Sequence, residues 1–118
     1  MPAFSVIREA RGNHATYLVS GRFEGASAWD LAGRLSAEKL PRVTIDFSRC
    51  DEFPDYAVAV IAQAMVGSPG RRFQLRGLRQ HQEHVFRCFG VEVGEQGQAV
   101  ARAGTTPIFA AGLSPEVG

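Results

Sequence analysis

Apolar and polar positions alternate along four short stretches of the chain, and the stretches between the later ones repeat at helical spacing. Phe4 to Glu9 sets Phe4 and Val6 against Ser5 and Ile7, and His14 to Gly21 carries the β-branched and aromatic content of a second strand. Arg11-Gly12-Asn13 lies between them. Gly and Asn tolerate positive φ, so this link predicts a turn and an antiparallel hairpin. Val43, Ile45 and Phe47 alternate with Thr44 and Asp46 in a third strand. In a fourth, Phe73 and Leu75 alternate with Arg72, Gln74 and Arg76, which predicts one wet face.

Three helices are predicted between and after these strands. Ser27 starts the first, with Asp30 as its capping-box partner. Ala28, Leu31, Ala32 and Leu35 fall at i, i+3, i+4 and i+7 and form one inward stripe. Trp29 lies off that stripe and covers its edge, and Pro41 stops the helix after Leu40. The second helix follows a polar loop, Ser48 to Glu52, and the pair Phe53-Pro54. Asp55 is its expected N-cap, accepting from the free N–H groups of the first turn. From Tyr56 to Met65 its one strongly polar side chain is Gln63. A helix apolar all round is either enclosed or keeps a face for a partner, and the expectation here is a face left for a partner. Gly67, Pro69 and Gly70 break the chain before the fourth strand. The third helix spans Arg79 to Phe89, with Val85, Cys88 and Phe89 on one side and Gly90 at its stop.

After Val91 the pattern fades. Gln96 to Ala103 is expected as a short helix, Thr105 to Ala110 as an extended segment that docks, and Leu113 to Gly118 as a tail. The order β-β-α-β-α-β-α gives an α/β fold: a small mixed β-sheet with one antiparallel edge strand and helices packed on it. Residues 1–93 make the domain and residues 94–118 a C-terminal extension.

Composition narrows the function. A chain of 118 residues suits one domain with a core of its own, needing no metal or disulfide. The formal net charge of +1 gives no pull towards nucleic acid or an anionic membrane. Met1 to Ala10 lacks the pattern of a signal peptide, and no run is long and apolar enough to span a bilayer. A cytoplasmic protein is therefore expected. The basic side chains are Arg apart from Lys39, and Arg71, Arg72, Arg76 and Arg79 form a cluster suited to an acidic partner, a phosphate or simply a soluble strand face.

Candidate chemistry is sparse. His81, His84 and Cys88 share one helix face and with Cys50 would imitate a zinc site, but their spacing matches no established metal motif. Asp51 and Glu52 raise the pKa of Cys50 and so argue against a thiol nucleophile. No phosphate loop, nucleophile elbow or paired carboxylates stand out. The reading is of a non-enzyme with no metal and no cofactor.

Four segments in order resemble the STAS domain, the fold of bacterial anti-sigma factor antagonists. They are Leu18-Val19-Ser20-Gly21-Arg22-Phe23-Glu24, Val43 to Ser48, Phe53-Pro54-Asp55, and Phe73 to Val91 with Gly77-Leu78 and Phe86 to Gly90. The resemblance covers about Phe4 to Val91. It implies a regulatory protein-protein interaction module that docks a partner on Asp55, Tyr56, Ala57, Val58 and Ala59, with Glu24 nearby. The implied partner is an anti-sigma factor, a kinase-like protein or a component of a larger assembly. The family's phosphorylated serine follows its signature Asp by two places, and here that place is Ala57, with Tyr56 and Val58 at the flanking positions. A phosphate would add nearly two negative charges at a helix start, and Ala57 has no hydroxyl to carry one. The alternative is a small-ligand or lipid-binding domain, such as a component of a transport system, that uses the apolar helix and the Arg face.

Overall fold

A computed structural model describes residues 4–23, 25–68 and 70–101. The described elements are β1 (Phe4–Arg11), β2 (His14–Arg22), α1 (Gly25–Ala37), β3 (Arg42–Glu52), α2 (Asp55–Val66), β4 (Arg72–Arg76), α3 (Gln80–Cys88), β5 (Val91–Val93) and β6 (Gln98–Ala101). They build one mixed sheet in the order β1-β2-β3-β4-β6-β5. The β1–β2 hairpin turns at Gly12-Asn13, with Gly12 at φ +62°. β2, β3 and β4 run parallel because α1 and α2 carry the chain back between them.

The alternation read from the sequence sets the two faces. Ala15, Val43, Phe73 and Ala99 are neighbours across four strands, as are Tyr17, Ile45 and Leu75 across three, and all are buried. The helices pack on this face and join its residues in a single core. The stripe predicted for α1 is its buried face: Ala28, Leu31, Ala32 and Leu35 are enclosed, while Trp29 is 54% exposed. Each fully buried Leu, Ile or Val contributes about 1.5–3 kcal/mol, so this face carries most of the stability.

α2 packs against both α1 and α3 as well as the sheet residues beneath it. This explains its unusual composition. Ala57, Val58, Val60, Ile61, Ala62, Gln63, Met65 and Val66 are all buried. The expected apolar face left for a partner is therefore covered by the chain's own helices.

Several boundaries differ from the sequence reading. The short helix expected over Gln96 to Ala103 is instead, in its described part, the strand β6, which pairs with β4 and β5. Small residues hold no helix in place without packing, and here Ala99 turns into the core while Val100 stays 64% exposed. Gly97, at φ +87°, makes the turn before β6, and a Cβ there would lie 2.2 Å from the Leu75 carbonyl oxygen. The boundary expected at residue 93 thus falls inside the β5–β6 hairpin, and the sheet has antiparallel strands at both edges. The segments expected at 105–110 and 113–118 lie outside the described residues.

β3 also runs on through the predicted loop Ser48 to Glu52. Its backbone pairs there with β2, through register shifts between Leu18 and Ser20 and between Gly21 and Arg22. α1 begins at Gly25, so Ser27 is no N-cap. Its hydroxyl donates to the Arg22 carbonyl at 3.3 Å, and Asp30 accepts from Arg34 instead. α1 also ends at Ala37, before Leu40, because the Glu38 carboxylate captures the next two backbone N–H groups, those of Lys39 and Leu40.

Candidate functional site

The start of α2 is held by an aromatic cluster. After β3, Phe53 turns inward and stacks on Phe47 at 4.5 Å between ring centroids, with Phe23 edge-on to Phe53 at 4.9 Å. Phe4 adds a tilted contact to Phe23 at 5.8 Å. Aromatic pairs at such spacing add stabilisation beyond the area they bury. Pro54 follows in extended conformation at φ −69° and ψ 159°, and its carbonyl accepts from the N–H groups of Ala57 and Val58 at 3.0 and 3.2 Å.

Pro54 therefore occupies the N-cap position, and Asp55 does not cap. It is the first helical residue, where a carboxylate still complements the helix dipole. Its Oδ1 lies 2.8 Å from Nε2 of His81 on α3, and both side chains are exposed. The pair bridges the starts of two helices across the surface.

Tyr56 stands next to this pair and is 56% exposed. Ala59, one turn on, is half-buried. Ala57 and Val58 are completely buried, so these two of the expected contact residues offer no surface. The cause is their direction: they point at the core while Asp55 and Tyr56 point away from it. Glu24 lies outside the described residues.

The adjoining loop is also fixed. Gly77, at φ +77°, brings the segment after β4 against β3, where a Cβ would lie 2.3 Å from the Ser48 backbone nitrogen. Beside it, Asp46 accepts from the Ser48 N–H at 2.9 Å and the Ser48 hydroxyl at 2.6 Å. Partial burial works against its charge, but these hydrogen bonds and the nearby Arg76 and Arg49 hold its carboxyl below the usual value. The Cys50 thiol is pushed up to about 12, first by burial and then by Asp51 and Asp46. A thiol held there is protonated at neutral pH and is a poor nucleophile.

The other titratable candidates are not assembled into a centre. His84 and Cys88 meet at 3.7 Å on the exposed face of α3. Cys88 does not join the buried side of that helix, which is formed by Val85 and Phe86. Among the described residues no three His, Cys, Asp or Glu side chains are placed to hold one metal ion.

A polar cluster unseen in the sequence supports the scaffold. Glu38 is buried after α1 and accepts from Arg8 Nε at 2.7 Å and Arg8 Nη2 at 3.0 Å, from the Tyr17 hydroxyl, and from the N–H groups of Lys39 and Leu40 at 3.0 and 2.9 Å. Arg8 is the main cause that lowers the Glu38 carboxyl to about 2, with Tyr17 and the Leu40 N–H adding to it against the penalty of burial. Burial first, and then Glu38, lifts the Tyr17 hydroxyl to about 12. The cluster ties the edge strand β1 to β2 and to the α1–β3 connection.

No helix among the described residues is long and apolar enough to cross a membrane. No protein-family model matches the chain, and no curated protein matches it. Among solved structures, it is similar to the STAS domain of an anti-sigma-factor antagonist from Rhodobacter sphaeroides. The two share 26% identity at a TM-score of 0.54, over 64% of this chain and 87% of that one. With the mixed sheet, the helices on one of its faces and the helix start after β3 all in place, the chain has a STAS-like fold.

Proposed function

We propose that this domain is a non-catalytic regulatory module that docks a protein partner on the first turn of α2. Its contact surface is Asp55, Tyr56 and the rim of Ala59, joined by His81 of α3. The observation that carries the reading is Tyr56: a large ring with a polar tip, exposed at the start of a helix that is otherwise enclosed. Such side chains anchor protein interfaces. The resemblance to an anti-sigma-factor antagonist supports a partner of the same broad kind, an anti-sigma factor or kinase-like protein. Ala57, at the position of the family's phosphorylated serine, leaves the module without that switch.

The test is capture of partners from the source cell with the intact chain, followed by titration of the recovered protein. Tyr56→Ala should weaken that binding by about 10-fold or more, and Asp55→Ala should weaken it as well, while both variants keep the wild-type circular dichroism. Unchanged affinity in Tyr56→Ala would refute the assigned surface. Incubation with the partner kinase and ATP should leave the helix start unmodified, and phosphate on Tyr56 would overturn the claim that it carries no switch.

A further inference from the structure

The opposite end of the sheet carries a feature that the docking reading does not use. The hairpin and the parallel pairings place Arg11, His14, Arg42 and Arg72 in one lateral row across β1, β2, β3 and β4. Laterally paired residues point to the same side of a sheet. Since Val43 and Phe73 face the helices, Arg42 and Arg72 face away from them. The row lies at the N-terminal ends of the parallel strands, away from α2's start.

Arg42 and Arg72 are direct neighbours on adjacent strands, both are exposed, and neither guanidinium has a hydrogen-bond or ion-pair partner among the described residues. Like charges directly opposite one another destabilise a sheet. Charge on a strand is often a guard against edge-to-edge association, but β3 and β4 are both interior strands, so there is no edge here to guard.

A cleft of about 690 Å³ opens at this row, a volume within the range of small-molecule sites. Arg42, Arg71, Arg72 and His14 line it, and no Asp or Glu does among the described residues. Arg71 is already anchored, donating to the Leu35 carbonyl at 3.0 Å, and His14 is hydrogen-bonded to Thr44 Oγ1 at 2.7 Å. The two unpaired guanidinium groups remain.

We infer that this cleft binds a phosphate-bearing small molecule, with Arg42 and Arg72 gripping the phosphate together. Adjacent strands are about 4.8 Å apart, which lets two planar forks converge on one anion. A carboxylate presents one planar edge to a bidentate Arg, whereas a tetrahedral phosphate has further oxygens and offers a separate edge to each of two forks. The phosphate belongs either to a soluble molecule or to a lipid headgroup. This site is independent of the partner surface on α2.

The test uses the whole chain. Isothermal titration with inorganic pyrophosphate probes a soluble ligand, and cosedimentation with phosphatidylcholine vesicles, with and without phosphatidic acid, probes a headgroup. Saturable binding in either arm is expected, and the responding arm identifies the source. The R42Q/R72Q double variant should weaken that binding by about tenfold or more. Arg34→Gln, which removes a basic side chain on α1, should leave it unchanged. The unliganded double variant should melt no lower than wild type, because it relieves a like-charge contact. Absence of binding in both arms, equal loss in Arg34→Gln, or a lowered melting temperature in both R42Q/R72Q and the single variant Arg72→Gln would overturn the assignment.

Discussion

Replacing Glu38 with Gln should destabilise the fold by about 2–3 kcal/mol at neutral pH, although the substitution keeps size and shape. Folding lowers the Glu38 carboxyl from its ordinary 4.5 to about 2. At about 1.4 kcal/mol per pH unit, that preference for the charged form corresponds to at most about 3.5 kcal/mol. Arg8 is 42% exposed, so water screens the pair and about half of that figure is the sounder charge contribution. The amide adds a separate penalty. Each carboxylate oxygen accepts at least two hydrogen bonds, and a Gln NH2 group in place of either oxygen faces donors it cannot satisfy. Urea unfolding followed by far-ultraviolet circular dichroism would show it as a midpoint lowered by about 1.5 M for a typical urea slope. The sign with pH is fixed as well. Because the folded-state value is depressed, the stabilisation is fully present above 4.5 and is lost as pH falls towards 2. The gap between wild type and Glu38→Gln must therefore narrow over that window. A gap below about 0.5 kcal/mol at neutral pH, or one that stays constant on acidification, would refute this account of the cluster.

The two cysteines should react very differently with a maleimide. Cys88 is exposed, whereas the Cys50 thiol is partly enclosed and held near 12, so peptide mapping should find Cys88 labelled first and equal rates would contradict the placement of Cys50. Gly77→Ala should cost about 2–3 kcal/mol or more, because it combines a strained φ with a Cβ driven onto the Ser48 backbone; a melting temperature within a degree or so of wild type would show that the loop has room to move.

Alternation made β1, β2, β4 and the first half of β3 readable, because each strand has one face on the core and each hydrophobic set lands there. The stripe of α1 was readable for the same reason. The second half of β3 was not, since Ser48 to Glu52 hold their places through backbone pairing with β2, which side-chain polarity does not report. β6 was hidden because, of Gln98, Ala99 and Val100, Ala99 alone is buried, too little for an alternating pattern to show. Glu38 carries no signal of its own in the sequence. Its partners Arg8 and Tyr17 lie far back in the chain and reach it only once the sheet has formed. Asp55 illustrates the opposite error. Local rules make it a cap, but Pro54 takes that place and the Asp55 carboxylate meets His81 on α3 instead.

The candidate site shows how far composition alone can mislead about exposure. An unbroken apolar run suggests a free face, yet α2 is apolar because α1, α3 and the sheet enclose it. Only Asp55 and Tyr56 are exposed on this helix, with Ala59 and Ala64 half-buried, so the docking reading contracts from the helix to its rim. Ala57 then matters twice over. It carries no hydroxyl, and its side chain is wholly buried, so restoring a serine there would place a polar group in the core, at a cost of about 1–3 kcal/mol unless it found a partner. A phosphate at that position would require the start of α2 to move away from the core. On the proposed reading, partner affinity at this rim is therefore set by the fixed side chains Asp55, Tyr56 and His81, and any control over binding must come from the partner or from another part of the molecule.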